Sequence, residues 1–555
     1  MSTLDWGVFF ATLLGIVLYG VWRGRGSSTA DDYLRAGQAM PWYAVLLGVM
    51  ATQASAITFL SAPGQAFTDG MRFVQYYFGL PLAMIVISVL FIPMFRRLNV
   101  YTAYEFLEQR FDRRTRLATS VLFLLSRGLS TGISIYAPSI IVATLFDWNI
   151  YATNVVVGGL LLAYTLSGGA RSVAHTQTLM FGIILTSIAA AGVYLVQGFP
   201  QDISMSDALR LSEIAGKLNV ITTTFDLHDK YNIWSGVIGG FFLALSYFGT
   251  DQSQVGRFIT GKNIRESRIG LLVNGLVKIP MQYGILLIGA LLVALYSLVP
   301  GPIFFNTSVA QRAERADSTT AHVLHRQWDA ANTQLMLTAQ DVVSGKQGAD
   351  VRYRAAYDST TRLRAQYRTF VRSTGILESN DTNYIFLYYV RTMLPAGLIG
   401  LIFAVVIMAS WGSISAGFHS LATASVVDLR GMTNTPSDIR AARWHTLMWA
   451  VFGIAMSMMA TQMGSLIEAV NILGSLFYGP ILGIFVVAFL VKRANGPVTF
   501  WSAAVAEALV IACWALNVVS FLWLNVIGTV TVVVLALLLS SLTALRSSPS
   551  QNEHR

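Results

Sequence analysis

The stretch Ser246-Tyr-Phe-Gly-Thr-Asp-Gln-Ser-Gln-Val-Gly-Arg257 is the most informative part of this chain, because it ends a long apolar run with small, polar and cationic residues. In hydrocarbon, each unsatisfied polar group costs several kcal/mol. A helix that carries Asp251, Gln252 and Gln254 at its end therefore either enters water there or uses these side chains for function. We expect Asp251 near the inner water boundary, where it caps a helix or pairs with Arg257.

The composition indicates a membrane protein. Of the 555 residues, 54% are apolar and only 12% are charged, whereas soluble domains carry about 25% charged residues. Runs of about 20 apolar residues span a bilayer of about 30 Å, and these runs are too long to be barrel strands. We therefore predict an all-α, multi-pass protein of the cell membrane, the bacterial inner membrane. The thirteen predicted spans are about Trp6–Trp22, Trp42–Ala62, Phe73–Phe95, Ala118–Phe146, Ile150–Leu166, Gln177–Val196, Ile233–Val255, Ile269–Val299, Pro395–Val427, Trp444–Thr461, Ser465–Val491, Val498–Val519 and Phe521–Leu545.

The distribution of charge predicts the topology. The net charge of +10 comes mostly from cations after the odd-numbered spans, and the short connections on the other side hold almost none except Arg72. The positive-inside rule then places the N-terminus outside and the C-terminus inside. We expect the lipid bilayer and a small-molecule solute as partners, and no nucleic acid. Cys513 is the only cysteine, so no intramolecular disulfide is expected, and the first apolar run is expected to be a spanning helix rather than a cleaved signal.

Residues 300–383 form a long polar insert between predicted spans. Helix-forming residues lie on both sides of Ser344-Gly-Lys-Gln-Gly348, which predicts an extracytoplasmic helical hairpin. The insert is either a solvated cap or a direct contributor to substrate binding.

Two predicted spans contain clusters of small and hydroxyl residues, Ala51-Thr-Gln-Ala-Ser-Ala-Ile-Thr-Phe59 and Ala409-Ser-Trp-Gly-Ser-Ile-Ser-Ala416. Such clusters allow helices to pack closely. They also suit a helix that unwinds within the membrane, where its free backbone groups hold a cation and a substrate. Pro63 and Gly64 favour such a break in span two.

Arg127 and Lys278 each fall about nine residues into a span, where a charge costs about 2.5–3.5 kcal/mol unless it is paired or hydrated. Each cation either reaches the cytoplasmic interface or lines a polar cavity. Other residues that could supply polar tips to a central pocket are Thr58, Gln75, Tyr76 and Tyr77.

Taken together, several motifs resemble the sodium/solute symporter family. The match runs from about residue 32 to residue 490 and is interrupted by the insert. The motifs that carry it are Tyr247-Phe-Gly-Thr-Asp-Gln-Ser-Gln-Val-Gly-Arg-Phe-Ile-Thr260, Ser55-Ala-Ile-Thr-Phe-Leu-Ser61, Ser126-Arg-Gly-Leu-Ser130, and the segment from Leu394 to Asp428.

The resemblance implies the five-plus-five inverted-repeat fold of the leucine transporter and alternating access around a site between broken helices. The first repeat would be residues 42–197, and the second would be residues 233–299 with residues 394–491. Residues 1–41 would add a first helix and a cytoplasmic loop, and residues 498–545 would add two C-terminal spans.

The resemblance also implies site residues. Backbone oxygens of Ala51, Ala54 and Ala409 and the hydroxyl of Ser413 would bind sodium, while Gly412 stands where the family has a second hydroxyl. Tyr247 matches the aromatic gate on the inner side of the substrate.

A further departure concerns a second sodium site of the family. Gln177 replaces the Asp of that site and Met180 replaces its Gln, and a hard cation prefers anionic oxygen, so a second sodium site is not expected. Tyr77 replaces the carboxylate that binds sugars in some members, which does not support sugar specificity of that kind.

The expected function is sodium-coupled symport of a small organic solute, with sodium as the coupling ion and no cofactor. The alternatives are a proton-coupled or uncoupled transporter, with His175, His419 and Lys278 as the candidate proton carriers, and a transporter-like solute sensor. The sequence contains no metal-ligand spacing, nucleophile elbow or phosphate loop, so an enzyme is not expected.

Overall fold

The computed structural model describes residues 1–24, 40–53, 55–98, 102–167, 170–431 and 436–546. Among these residues no β-strand forms, and the chain is helical almost throughout. The helices are α1 (Thr3–Gly24), α2 (Trp42–Gln53), α3 (Ala56–Asp69), α4 (Met71–Arg97), α5 (Glu105–Arg110), α6 (Arg113–Phe146), α7 (Ile150–Ser167), α8 (Ala170–Gln197), α9 (Met205–Ile214), α10 (Ser235–Thr250), α11 (Gln252–Phe258), α12 (Ile264–Leu298), α13 (Thr307–Ala316), α14 (Ser318–Val343), α15 (Ala349–Ser373), α16 (Ile385–Met393), α17 (Leu398–Gly431), α18 (Pro436–Ser457), α19 (Leu466–Leu490), α20 (Gly496–Ala515) and α21 (Phe521–Arg546).

The predicted all-α membrane architecture is present. In the described part of the chain, eight helices are long and apolar enough to cross a membrane, and the bent pair α2–α3 makes nine. Three shorter apolar segments, in α1, α7 and α10, coincide with further predicted spans. Helix α18, at the predicted span Trp444–Thr461, is outside both groups. The count of thirteen spans and the orientation of the termini therefore remain predictions.

Predicted span two is broken. Of the two interpretations of its small residues, close packing or an unwound helix, the second requires such a break. Helices α2 and α3 meet at an angle of 62°, and Ser55 between them has an extended backbone. The amide of Ala56, which has no partner within α3 because it lies in the first turn, donates to Oγ of Ser410 at 3.1 Å. The break lies at Ser55, within the predicted cluster, and Pro63 and Gly64 follow it inside α3.

A second break lies between α10 and α11, inside the stretch that opened the sequence analysis. Asp251 has an extended backbone there and its carboxylate accepts a hydrogen bond from the amide of Ser253 at 2.8 Å. The prediction that Asp251 caps a helix is therefore confirmed. The alternative, an ion pair with Arg257, is not the one observed, because the cationic neighbour of the buried Asp251 is Arg127, at 3.9 Å. Its position near the inner water boundary stays a prediction.

The insert contains the predicted helical hairpin, formed by α14 and α15. The turn between them includes Gly345 and Gly348, both with a positive φ that side chains rarely adopt. A short additional helix, α13, precedes the hairpin and ends at Asp317, which also caps α14. The hairpin contacts the outer part of the helix bundle through α12 and α9.

Close helix contacts depend on glycines at two points along α3. A Cβ atom on Gly289 of α12 would lie 2.0 Å from the carbonyl oxygen of Pro63, and one on Gly64 would lie 1.9 Å from the carbonyl oxygen of Thr382. Both clashes are with backbone, which cannot move aside as a flexible side chain does. Helix α3 is therefore held between α12 and the segment that precedes α16.

We predict that Gly289→Ala destabilises the protein by about 1–3 kcal/mol, the usual cost of overpacking. Gly284→Ala in the same helix is the matched control, because nothing lies within 4 Å of its Cβ position. The thermal unfolding midpoint of the purified protein in detergent measures both. Equal midpoints for the two variants would contradict the close packing of α12 on α3.

Candidate solute and sodium site

A cavity lies beside the break between α2 and α3. It encloses about 1070 Å³, including the part open to solvent, and is bounded by α2, α3, α4, α6, α10, α12, α17 and α19. The cavity brings together six residues that the sequence analysis selected from distant parts of the chain. These residues are Thr58, Tyr76, Tyr77, Tyr247, Lys278 and Ser413.

Tyr76 and Tyr77, near the start of α4, form one wall. Their rings pack edge to face, with centroids 4.6 Å apart, and the hydroxyl of Tyr76 donates to Oδ1 of Asn471 at 3.2 Å. The Nζ atom of Lys278 lies 5.6 Å from the centre of the Tyr77 ring, a distance typical of a cation–π contact. These tyrosines therefore contact the cavity rather than a membrane interface.

Lys278 is 2% exposed and lines the cavity, so the second of its two predicted placements is the observed one. Among the described residues, no Asp or Glu lines the cavity, and no carboxylate lies within 4.0 Å of Lys278. A buried ammonium without a carboxylate partner is costly. The cavity therefore offers a positive charge to whatever enters it.

Arg127 also lines the cavity, but its charge is balanced within the protein. Its guanidinium lies 3.9 Å from the carboxylate of Asp251, and that carboxylate also accepts a hydrogen bond from the Tyr478 hydroxyl at 3.1 Å. Tyr247, on the same side, accepts a hydrogen bond from Nε2 of Gln254 at 2.7 Å. The break between α10 and α11 thus places a hydrogen-bonded group of polar side chains next to Tyr247.

The residues predicted to bind sodium lie at the break in span two and on α17. Ala51 is in the last turn of α2, where carbonyl groups have no intrahelical partner. Ala409 precedes Ser410, whose hydroxyl bonds to Ala56 across the break, and the hydroxyl of Ser413 donates to the Ser410 carbonyl at 3.1 Å. Helix α17 therefore contacts the break beside the last turn of α2. Ala54 lies outside the described residues, and Gln177 lies in α8.

Gln75 is not brought into the cavity. Its amide nitrogen donates to the carbonyl of Tyr231 at 2.9 Å, and its amide oxygen accepts from the amide of Thr222 at 3.1 Å. Gln75 thus binds the backbone of the loop before α10, although it is adjacent in sequence to two cavity residues.

Sequence reasoning missed several cavity residues. Asn471 and Tyr478 come from α19, and Ser130, Thr131 and Ser134 come from α6. Asn471 could have been found by the rule that selected Lys278, since both are polar residues within an apolar span. Ser130 and Ser134 lie one turn apart and each bonds to a carbonyl four residues earlier, so their pattern resembles ordinary helix packing.

At Ser61, hydrogen bonds form a seam between α3 and the start of α19. The hydroxyl of Ser61 lies 3.0 Å from that of Ser465 and accepts from the amide of Ile467 at 3.2 Å. Residues 380–383, the closing segment, cover this seam because Asn383 donates to the carbonyl of Gly464 at 3.0 Å. The seam thus joins α3, the closing segment and the start of α19.

Comparison with known proteins identifies the family. The model of the sodium:solute symporter family matches residues 33–322. The chain belongs to this family. It is 26% identical to the sodium/sialic acid symporter NanT of Aliivibrio fischeri, over 97% of this chain and 93% of that protein. It is 25% identical to human sodium-coupled monocarboxylate transporter 1, over 88% of this chain and 70% of that protein.

A solved structure has the same fold. The substrate-bound, outward-open structure of a Na⁺-coupled sialic acid symporter matches with a TM-score of 0.75 and 23% identity, over 98% of both chains. This match supports the leucine-transporter-like fold that the resemblance implied. The chain is a multi-pass cell-membrane protein that carries out sodium-coupled solute symport, so the predicted family and transport class are confirmed.

We predict that Asp251→Asn destabilises the protein, because Arg127 would keep a buried charge without a counter-charge. Removing one partner of a buried ion pair costs about 3–5 kcal/mol, and the 3.9 Å separation favours the lower end of that range. Asparagine still caps α11, so the effect comes from the charge. The double variant Arg127→Gln/Asp251→Asn should recover most of the thermal unfolding midpoint. A double variant as unstable as the sum of the two single variants would show that the pair does not interact.

Proposed function

We propose that the transported solute is a small organic anion and that Lys278 binds its negative group. The observation that carries this proposal is the charge of the cavity: Lys278 lines it, no described carboxylate does, and Arg127 is already opposite Asp251. An anion that enters would replace the counter-charge that Lys278 lacks. The tyrosines around Lys278 would contact the apolar part of the solute.

The names of the relatives support an anion. NanT is named for sialic acid and the human transporter for monocarboxylates, and both kinds of solute carry a carboxylate. These proteins cover most of this chain. The carboxylate that their solutes share is the group that the Lys278 ammonium would bind.

We propose that one sodium ion binds at the break in span two. Backbone oxygens of Ala51, Ala54 and Ala409 and the hydroxyl of Ser413 would be its ligands, since sodium prefers oxygen ligands and the last turn of α2 has free carbonyls. Bound sodium would hold α17 against the break that also borders the solute cavity. Sodium would therefore favour the conformation that binds solute, which is the requirement for coupling.

The two breaks suggest how the conformational change occurs. In the proposed repeats, residues 42–197 and residues 233–299 with 394–491, the first helix of each repeat is the broken one, α2–α3 and α10–α11. Inverted repeats that pair broken helices in this way are typical of alternating access. With the N-terminus outside, the bonded seam at Ser61 would be the extracytoplasmic closure, and Tyr247 would lie on the cytoplasmic side of the solute.

We predict that Lys278→Gln raises the KM for a transported monocarboxylate at least about 10-fold, equivalent to about 1.4 kcal/mol of binding. Lys278→Arg, which keeps the charge, should be affected much less. Sodium-driven uptake of a panel of acids and their neutral amides into proteoliposomes measures the change. The variant should also lose the preference for an acid over its amide.

Lys262→Gln is the control for this experiment, because Lys262 is an exposed lysine outside the cavity. It should leave uptake unchanged. Wild-type protein that transports amides as well as acids would refute the proposal for an anionic solute, without affecting the family assignment.

We predict that Ser413→Ala raises the sodium concentration for half-maximal uptake by about 5-fold to 10-fold. The variant loses one oxygen ligand, whose contribution we take as that of one hydrogen bond, about 1–1.5 kcal/mol. Ser415→Ala, two residues further along the same helix, is the control because Ser415 does not line the cavity. Gly412→Ser, which adds the hydroxyl that the family has there, should change the sodium requirement in the opposite direction. If the sodium requirement is the same in all three variants, the sodium site lies elsewhere.

A further inference from the structure

Two turns that are distant in the sequence meet at one end of the helix bundle. One turn lies between α5 and α6, and the other lies between α19 and α20. The guanidinium of Arg110 donates to the carbonyls of Val491 at 3.0 Å, Lys492 at 3.2 Å and Ala494 at 3.3 Å. These hydrogen bonds hold the two turns together, although 381 residues separate Arg110 from Val491.

The same two turns also touch at Gly496, the first residue of α20. A Cβ atom on Gly496 would lie 1.9 Å from Oδ2 of Asp112, and the hydroxyl of Thr115 donates to the Gly496 carbonyl at 3.4 Å. Asp112 also caps α6, because its carboxylate accepts the amide of Thr115 at 2.8 Å. The starts of α6 and α20 are therefore adjacent, and the contact leaves no room for a side chain at Gly496.

The two turns carry four exposed cations. These residues, which we call the basic junction, are Arg113, Arg114, Lys492 and Arg493. None of the four forms an ion pair with a carboxylate in the part of the chain that the structure describes. Since like charges repel, the contact between the turns concentrates positive charge that the neighbouring side chains do not balance.

Two nearby carboxylates are already engaged elsewhere. Asp112 caps α6, and Glu108 pairs with Arg116 at 2.6 Å. In addition, Arg113 and Arg114 lie in the first turn of α6, which contains no acidic residue and where the helix dipole disfavours cations. An anion supplied from outside the protein would relieve both the repulsion and this unfavourable placement.

The basic junction lies at the ends of three candidate membrane spans. Their bounds are Arg113–Phe146 in α6, Leu466–Leu490 in α19 and Gly496–Ala515 in α20. The hydrocarbon layer ends where such spans end, and the lipid headgroups lie just beyond it. The four cations are therefore at headgroup depth, and both turns are on the side that the charge distribution predicts to be cytoplasmic.

Exposed apolar side chains continue from the basic junction along two of these spans. On α6, Val121 and Leu125 are exposed and follow Arg114 by seven and eleven residues, a spacing that puts all three on one face of the helix. On α20, Trp501 is exposed little more than one turn beyond Gly496. Cations at the end of an exposed apolar surface match the two chemical parts of a lipid molecule.

We propose that the basic junction binds the headgroup of an anionic phospholipid. The phosphate oxygens would pair with the guanidinium groups of Arg113, Arg114 and Arg493 and with the ammonium of Lys492, and the acyl chains would lie along the exposed face of α6. Arginine suits this role because its fork of N–H donors matches a phosphate, and basic clusters at the ends of membrane helices bind anionic lipids.

The positive-inside rule does not by itself account for this arrangement. The rule requires cations in cytoplasmic connections, but it does not require that the cations of two distant connections be bonded into one cluster. The contacts of Arg110 and Gly496 produce that cluster. The proposed lipid site is separate from the central cavity and does not depend on the identity of the transported solute.

The test titrates the full-length protein in a neutral detergent with phosphatidylglycerol and counts the bound lipid by native mass spectrometry. Each cation near an anionic lipid strengthens binding about 5-fold. Lys492→Gln/Arg493→Gln should therefore raise the half-saturating concentration of the tightest-bound lipid at least about 10-fold. Arg113→Gln/Arg114→Gln should do the same, because both pairs would hold one headgroup. The quadruple variant should lose no second lipid.

Lys262→Gln/Arg265→Gln is the matched control, because these two exposed cations lie at the start of another span, α12, outside the basic junction. It should leave the half-saturating concentration unchanged. All of these variants should keep the thermal unfolding midpoint of the lipid-free protein, which shows that they are folded.

Three results would overturn the proposal. The first is equal weakening by the control and by the two junction variants, which would indicate a general effect of charge. The second is equally tight binding of phosphatidylcholine with the same acyl chains, which would exclude recognition of the anionic headgroup. The third is displacement of the lipid by an equal concentration of inorganic phosphate, which would indicate a site for a free anion.

Discussion

The structure depends on one constraint, that every backbone polar group within the bilayer needs a partner supplied by the protein. Most of the chain meets it with continuous helices, but the breaks at Ser55 and Asp251 do not. At the first break, Oγ of Ser410 accepts the amide of Ala56. At the second, the carboxylate of Asp251 accepts the amide of Ser253. At the end of α2, the carbonyl of Gln53 accepts from the amide of Ser55 and the hydroxyl of Thr58, and the sodium proposal uses the carbonyl of Ala51 in the same turn.

The two buried cations of the central cavity differ in how their charge is compensated. Arg127 lies opposite Asp251, so its charge is part of the fold. Lys278 has an aromatic ring beside it and no described carboxylate. A cation paired within the protein stabilises one arrangement of helices, whereas a cation that lacks a counter-charge is completed by a ligand. This difference is why Lys278 and not Arg127 carries the proposal for an anionic solute.

Sequence reasoning predicted the family, the helical membrane fold and the approximate position of the first break, because each depends on local composition or on an ordered motif. It also selected Tyr76, Tyr77, Tyr247 and Lys278, which the fold brings to one cavity. It did not find Arg127 as the ion-pair partner of Asp251, because such a partner depends on which helices meet, and Arg127 lies on a helix more than a hundred residues away. Asn471 was missed because one polar residue in an apolar span is a weak signal without its neighbour Tyr76.

The charges of the insert connect it to the closing segment. Asp381 is buried between Arg364 and Arg368 of α15, and the following residues press on Gly64 and bind the start of α19. Opening the seam at Ser61 must therefore either carry the insert along or separate a buried carboxylate from two guanidinium groups. Separation leaves buried charges uncompensated and is the costlier alternative. We therefore expect the insert and the closing segment to stay together in any movement of α3.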